Sequence, residues 1–115
     1  MSDIAETPEP PYYAVIFTSL QTDDLVDYGE TATRMEELAA AQPGYLGFES
    51  ARQELGIAVS YWSDLESIRR WKQNAEHLLA QARGRQQWYK KYTVRICRIE
   101  KQYSPGDEDT PSGQA

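Results

Sequence analysis

The segment from Pro43 to Asp64 constrains this chain more than any other. Pro43-Gly44-Tyr45-Leu46-Gly47-Phe48-Glu49-Ser50 reads as a helix stop followed by a strand. Gly56-Ile57-Ala58-Val59-Ser60-Tyr61-Trp62-Ser63-Asp64 reads as a turn, a second strand and an abrupt helix start. The pair predicts a hairpin with strands over Tyr45–Ala51 and Ile57–Trp62. Its turn covers Gln53–Gly56, with Gly56 taking a positive φ. Ser63 is expected to cap the next helix, with Glu66 three residues on completing a capping box. At about 100° per residue, Ile68, Trp71, Ala75, Leu78, Leu79 and Ala82 share one face of that helix, and Gly84 ends it.

The flanking segments complete a symmetric pattern. Tyr12–Leu20 is dense in β-branched and aromatic residues, with Val15, Ile16 and Phe17 contiguous, as expected of a central strand buried on both faces. A first helix is expected from a cap at Thr22, with Asp23 and Asp24 favouring its N-terminus. It would run to about Ala41 and carry Tyr28, Ala32, Met35, Leu38 and Ala39 along one stripe. A basic, aromatic loop follows Gly84, and Tyr92–Tyr103 is the last strand. Val94 and Ile96 fall on one side of it and Cys97 and Ile99 on the other, read as a bulge near Cys97.

The order β-α-β-β-α-β predicts an α+β, ferredoxin-like split β-α-β fold: a four-stranded antiparallel sheet with two helices on one face. The helices leave the other face open, yet Tyr13–Phe17 and Tyr45–Phe48 offer bulky side chains to both. Two copies stacking those faces would form a closed two-fold homodimer. The predicted organisation is a flexible N-terminal arm over residues 1–11 with Pro8, Pro10 and Pro11, one domain over 12–103, and a flexible acidic tail over 104–115.

Charge says little about partners. The net charge of -6 comes from the two ends, which hold Asp3, Glu6, Glu9, Asp107, Glu108 and Asp109, while residues 12–104 are balanced. The single cysteine, Cys97, excludes an intramolecular disulfide and reads as a buried, inert thiol. No apolar run approaches the roughly 20 residues a membrane span needs, and the N-terminus lacks signal-peptide features. A cytoplasmic protein with no membrane partner is expected.

The tract Pro43-Gly44-Tyr45-Leu46-Gly47-Phe48-Glu49, then Tyr61-Trp62-Ser63-Asp64-Leu65-Glu66-Ser67-Ile68, then Trp71 and Glu76-His77, resembles the antibiotic biosynthesis monooxygenase (ABM) domain family of the dimeric α+β barrel group. The resemblance spans roughly residues 12–103. It implies a homodimer through the sheet faces and a ligand pocket between each sheet and its own helices. The activities it implies are mixed: cofactor-independent oxygenation of phenols or quinols, haem degradation, or none.

The leading functional expectation is therefore a small monooxygenase using no cofactor on an aromatic, phenolic or quinol-like compound. The alternative is a non-catalytic dimeric ligand-binding or structural module. The candidate catalytic residues are Trp71, Asn74 and His77. The expected pocket wall is Val15, Phe17, Thr18, Tyr28, Tyr61, Trp71 and Leu78, with Thr18 or Asn74 at its mouth; Arg95 is a further polar candidate. His77 lies roughly 140° from the apolar stripe of its helix, so a surface or structural role is preferred over a pocket role, and metal ligation is weakest. Haem breakdown in the resembled family uses an Asn, a Trp and a His; the matching positions here fall near Thr18, at Trp71 and near Gln81, so one of three is present. Gly84–Tyr92 is basic and aromatic, but nucleic-acid binding is not expected from one short loop in a neutral body. Trp88 and Tyr89 are expected to pack over the barrel edge or across a dimer.

Overall fold

The computed structural model describes residues 3–82 and 87–106. Its elements are β1 (Tyr12–Gln21), α1 (Tyr28–Ala40), β2 (Tyr45–Arg52), β3 (Leu55–Trp62), α2 (Leu65–Ala82) and β4 (Tyr89–Ile99). The strands form one antiparallel sheet in the order β2-β3-β1-β4. Two helices lie on one face, which is the ferredoxin-like α+β fold. No helix among the described residues is long and apolar enough to cross a membrane.

Side chains facing each other across an antiparallel pair lie on the same side of the sheet, so the register sorts every strand residue. Four rows look toward the helices: Arg52–Gly56–Ser19–Tyr92, Ser50–Ala58–Phe17–Val94, Phe48–Ser60–Val15–Ile96 and Tyr45–Trp62–Tyr13–Arg98. The opposite, open face carries Ala14, Ile16, Thr18 and Leu20 of β1, with Leu55, Ile57, Val59 and Tyr61 of β3.

The buried centre is Ala39 of α1, Ile68 of α2 and Trp62 of β3, with Tyr13, Val15, Tyr45 and Trp71 packed around them. Trp62 is wholly buried, and its indole N–H donates to the Ser60 hydroxyl at 2.8 Å. The ring therefore contributes its full apolar area without an orphaned donor. Gly44 takes φ +88° between α1 and β2, and a Cβ there would overlap the Ser67 side chain. The Pro43-Gly44 turn thus packs directly on the first turn of α2.

Several local expectations are corrected. α1 begins at Tyr28, because Thr22 serves long-range contacts: its N–H donates to the Trp88 carbonyl at 2.8 Å and its hydroxyl to the Gln87 carbonyl at 2.6 Å. The α2 cap is Asp64, whose Oδ1 accepts the Ser67 N–H at 2.7 Å. Ser63 only meets the Asp64 carboxylate, and Glu66 pairs with Arg69 at 2.5 Å instead of closing a box. Gly56 lies within β3 and does not take a positive φ. Tyr89–Lys91 are strand residues, and register is continuous through Cys97, whose switch of sides is ordinary alternation. The irregularities sit instead at Leu20/Gln21 and Tyr45/Gly47. Cys97 is half-buried. Gly84, the expected end of α2, lies outside the described residues.

Residues 3–11 run back over one end of the open face. The Ala5 N–H donates to Glu49 Oε2 at 2.9 Å, and the Ala5 methyl lies against Gly47. Thr7, Tyr12 and Gln102 form a small polar knot: Tyr12 donates to Gln102 Oε1 at 2.5 Å, Thr7 to the same oxygen at 3.0 Å, and Gln102 Nε2 to the Pro8 carbonyl at 3.1 Å.

Candidate functional site

On the helix-facing side, two groups of aromatic rings bracket an uncovered apolar strip. At one end, Trp71 stacks on Trp62 with ring centres 6.0 Å apart and planes 22° apart, and Tyr45 meets Trp62 edge-on at 5.6 Å. At the other end, Phe17 contacts Tyr89 at 5.2 Å and Tyr92 at 5.3 Å, and Tyr28 of α1 meets Tyr89 edge-on at 6.2 Å. Behind this second group Trp88 is buried, held edge-on to Tyr28 at 5.3 Å, with its indole N–H donating to the Val26 carbonyl at 2.8 Å.

The strip between them is Val94 and Ile96, opposite Phe17 and Val15 in the register. These two β4 side chains point toward the helix layer yet stay 48% and 49% exposed. On β3 the helix-facing residues before Trp62 are Gly56, Ala58 and Ser60, all small. Bulky ring groups thus stand at the two ends, and the middle is an open apolar strip along β1 and β4, the candidate cleft.

The phenols at the site are proton donors. Burial pushes Tyr89 well above the usual tyrosine range, the neighbouring Tyr28 adds to this, and the Arg52 guanidinium partly offsets it. Burial, then Glu36, raises Tyr45. At neutral pH both are protonated and able to hydrogen-bond a developing oxyanion, but neither is a base.

Of the expected site residues, Val15, Phe17, Tyr28 and Trp71 all lie on the helix-facing side, and Leu78 is half-buried on α2. Thr18 and Tyr61 do not join them. Thr18 is opposite Ile57 and Thr93, and Tyr61 is opposite Ala14, so both point to the open face. There Tyr61 meets Tyr12 edge-on at 5.9 Å and donates to Glu49 Oε1 at 2.6 Å. The reason is parity: once Trp62 is buried under the helices, its neighbour Tyr61 must face away. Arg95, opposite Ile16, also belongs to the open face.

The three catalytic candidates are not brought together. Asn74 is exposed, and its amide donates to the Gln42 side chain at 3.3 Å and the Arg70 carbonyl at 3.2 Å, tying α2 to the end of α1. His77 is exposed. Among the described residues no cluster of His, Cys, Asp and Glu could hold a metal. Thr18 lies across the sheet from Trp71, and the Leu79, Gln81 and Ala82 side chains lie outside the described residues. Two open concavities occur elsewhere: about 590 Å³ along α1 beside Gly29, Arg34 and Glu37, and about 440 Å³ at the β2–β3 hairpin beside Arg52 and Leu55. The basic-aromatic segment presents Trp88 and Tyr89 inward, while Gly84, Arg85 and Gln86 are outside the described residues.

Sequence reasoning missed Arg52, Ser19, Tyr92, Val94 and Ile96 as parts of the cleft. The alternation Tyr92-Thr93-Val94-Arg95-Ile96 carried the signal for the last three. Arg52 became visible only with the register that lays it over Gly56.

The four-stranded antiparallel sheet with two helices on one face places the chain in the class of small ferredoxin-like α+β domains. Residues 11–83 match the family described as antibiotic biosynthesis monooxygenase, and the chain belongs to it. It is 48% identical over 104 residues to the uncharacterized protein YqjZ of Bacillus subtilis (strain 168), covering 89% of this chain and 91% of that one. Among solved structures, PA3566 from Pseudomonas aeruginosa superposes with a TM-score of 0.61 at 18% identity, covering 84% of this chain and 99% of that one. SnoaB, a cofactor-independent oxygenase from Streptomyces nogalater, does so at 0.59 and 11% identity, covering 85% and 100%. At these identities the structural likenesses establish the fold.

Proposed function

We propose that this protein is a small monooxygenase that needs no metal or flavin and oxidises an aromatic, phenolic or quinol-like compound. The observation that carries the reading is the Val94–Ile96 strip, uncovered on the helix-facing side and bracketed by the Trp71 and Tyr89 ring groups. A planar ring laid there would contact Phe17, Val94 and Ile96 and exclude water from one face. A deprotonated phenol or enol is itself the reductant: one oxygen atom of O₂ bonds to the ring carbon and the other leaves as water with two substrate hydrogens. The protonated phenol of Tyr89 is suited to hydrogen-bond the negative charge that develops.

The resemblance of SnoaB in fold supports the class of reaction. The assembly belongs to the same reading: a homodimer through the open faces would cover Leu20, Leu55 and Ile57, which are 38%, 51% and 43% exposed. A stable interface of this kind buries at least about 1,200 Å² in total. Sedimentation showing a monomer at micromolar concentration would sink that geometry.

A second reading, a ligand-binding dimer without turnover, is favoured by one fact: Asn74 is bonded to Gln42 and Arg70 and His77 is exposed, so the described residues do not gather the catalytic candidates at one place. Direct binding of a panel of phenols, quinols and haem, followed by oxygen uptake on each hit, separates the two. Binding with oxygen uptake supports the oxygenase; binding without it supports the module; no binding removes both.

A further inference from the structure

Arg52 is exposed as a residue, yet its guanidinium has a fixed seat beside the strip. It is the last residue of β2, opposite Gly56, and its guanidinium lies flat over that glycine, where any Cβ would overlap it. One terminal nitrogen donates to the buried Ser19 hydroxyl, and the other approaches the Ser19 carbonyl at 3.5 Å. Ser19 is 2% exposed and sits one strand spacing, about 4.8 Å, from Tyr92. The side chain thus runs from β2 over Gly56 of β3 to Ser19 of β1, the register partner of Tyr92. The described ion pairs are Arg69–Glu66, Arg70–Glu66 and Arg98–Glu100, and Arg52 is in none of them. A cation close enough to act on the Tyr89 phenol, with its neutral seat fixed by Ser19 and Gly56, keeps part of its donor fork for an outside anion.

We propose that Arg52 is the anion subsite of the cleft, and that the ligand is a planar aromatic compound bearing a carboxylate beside its reactive ring. This rests on the cleft being the ligand site. The ring would lie on Phe17 and Val94 while the carboxylate takes the free N–H groups of Arg52. It also bears on ionisation: a guanidinium beside an acidic phenol or enol favours its anion, the released proton passing to solvent water.

The test compares 2-naphthoate with neutral 2-naphthol by titration calorimetry at neutral pH, in the parent and in Arg52→Gln, Arg52→Lys and Val94→Trp. The parent is expected to bind naphthoate about tenfold or more tightly than naphthol, as a charge-assisted bond implies. Arg52→Gln should lose that preference while keeping naphthol affinity, which also shows that the cleft is intact. Arg52→Lys should retain part of the preference, weakening as salt rises. Val94→Trp should fill the strip and abolish binding of both. Equal affinities in the parent, or a preference that survives Arg52→Gln, overturns the subsite while naphthol binding leaves the cleft standing. A preference indifferent to Val94→Trp overturns it too, since the anion would then bind outside the cleft. Binding of neither probe overturns the cleft and the subsite together.

Discussion

The helix-facing surface of the sheet has two halves built on opposite principles. Under β2 and β3, Trp62 is closed in by Ala39, Ile68, Tyr45 and Trp71, and its one polar atom is satisfied by Ser60. Over β4, Val94 and Ile96 have the same orientation but stay about half exposed. The first half holds the fold together; the second leaves its apolar area unspent. Residues of similar hydrophobicity, in adjacent rows of one sheet, therefore differ in whether they contribute to stability or to recognition.

Substitutions on either side should expose this difference. Trp62→Ala should cost about 3–5 kcal/mol, read as a lower urea midpoint, and is expected to be the most damaging single change. Trp71→Ala, on the half-buried partner of that stack, should cost about 2 kcal/mol, and Trp71→Phe much less. If Trp71→Phe also leaves oxygen uptake untouched on an active substrate, the indole N–H has no part in chemistry. Glu49→Gln should cost about 1 kcal/mol by weakening the bonds to Tyr61 and Ala5, and should speed proteolysis within residues 3–11. Val94→Ala should shift stability by no more than about 0.5 kcal/mol while weakening ligand binding. Should it cost as much as Trp71→Ala, the two halves are one core and the cleft does not exist.

The smallest effect concerns the start of α2. Hydrogen bonds from the backbone and side chain of Ser67 hold the Asp64 carboxyl below its usual range. A depressed folded pKa stabilises above the unfolded value, about 3.9, and that contribution is lost as pH falls through the lower folded value. Asp64→Ala should therefore lower the melting temperature near neutrality more than Ser63→Ala does, and the gap should close in acid.

How much of this was legible follows from what each signal encodes. The element order and its antiparallel pairing were readable because Pro43-Gly44, the hairpin and the Trp71 helix stripe are local patterns. Face assignment was not, since it depends on a two-residue period anchored at one buried position, and an error of one residue moves a side chain across the sheet. That is how Thr18 and Tyr61 came to be expected beside Trp71. The delayed start of α1 was hidden for another reason: in isolation Thr22 is a plausible cap and Asp24 a favourable charge at a helix N-terminus, and only the distant Gln87-Trp88 segment claims them. Arg52 combined both difficulties, reading as the polar residue before a turn until the pairing with Gly56 placed it.

The knot of Thr7, Tyr12 and Gln102 also bears on how the chain is wired. It fastens the segment before β1 to the segment after β4, so the path through the domain is nearly a closed ring. The order in which elements are synthesised is then separable from the shape they form. Joining the residues around Pro8 and Gln102 with a short link, and reopening the ring at Gln53-Glu54 between β2 and β3, would give a circular permutant that starts with β3 and ends with β2. Its sheet order, its four helix-facing rows and the cleft should persist, because they depend on strand register rather than on which strand comes first.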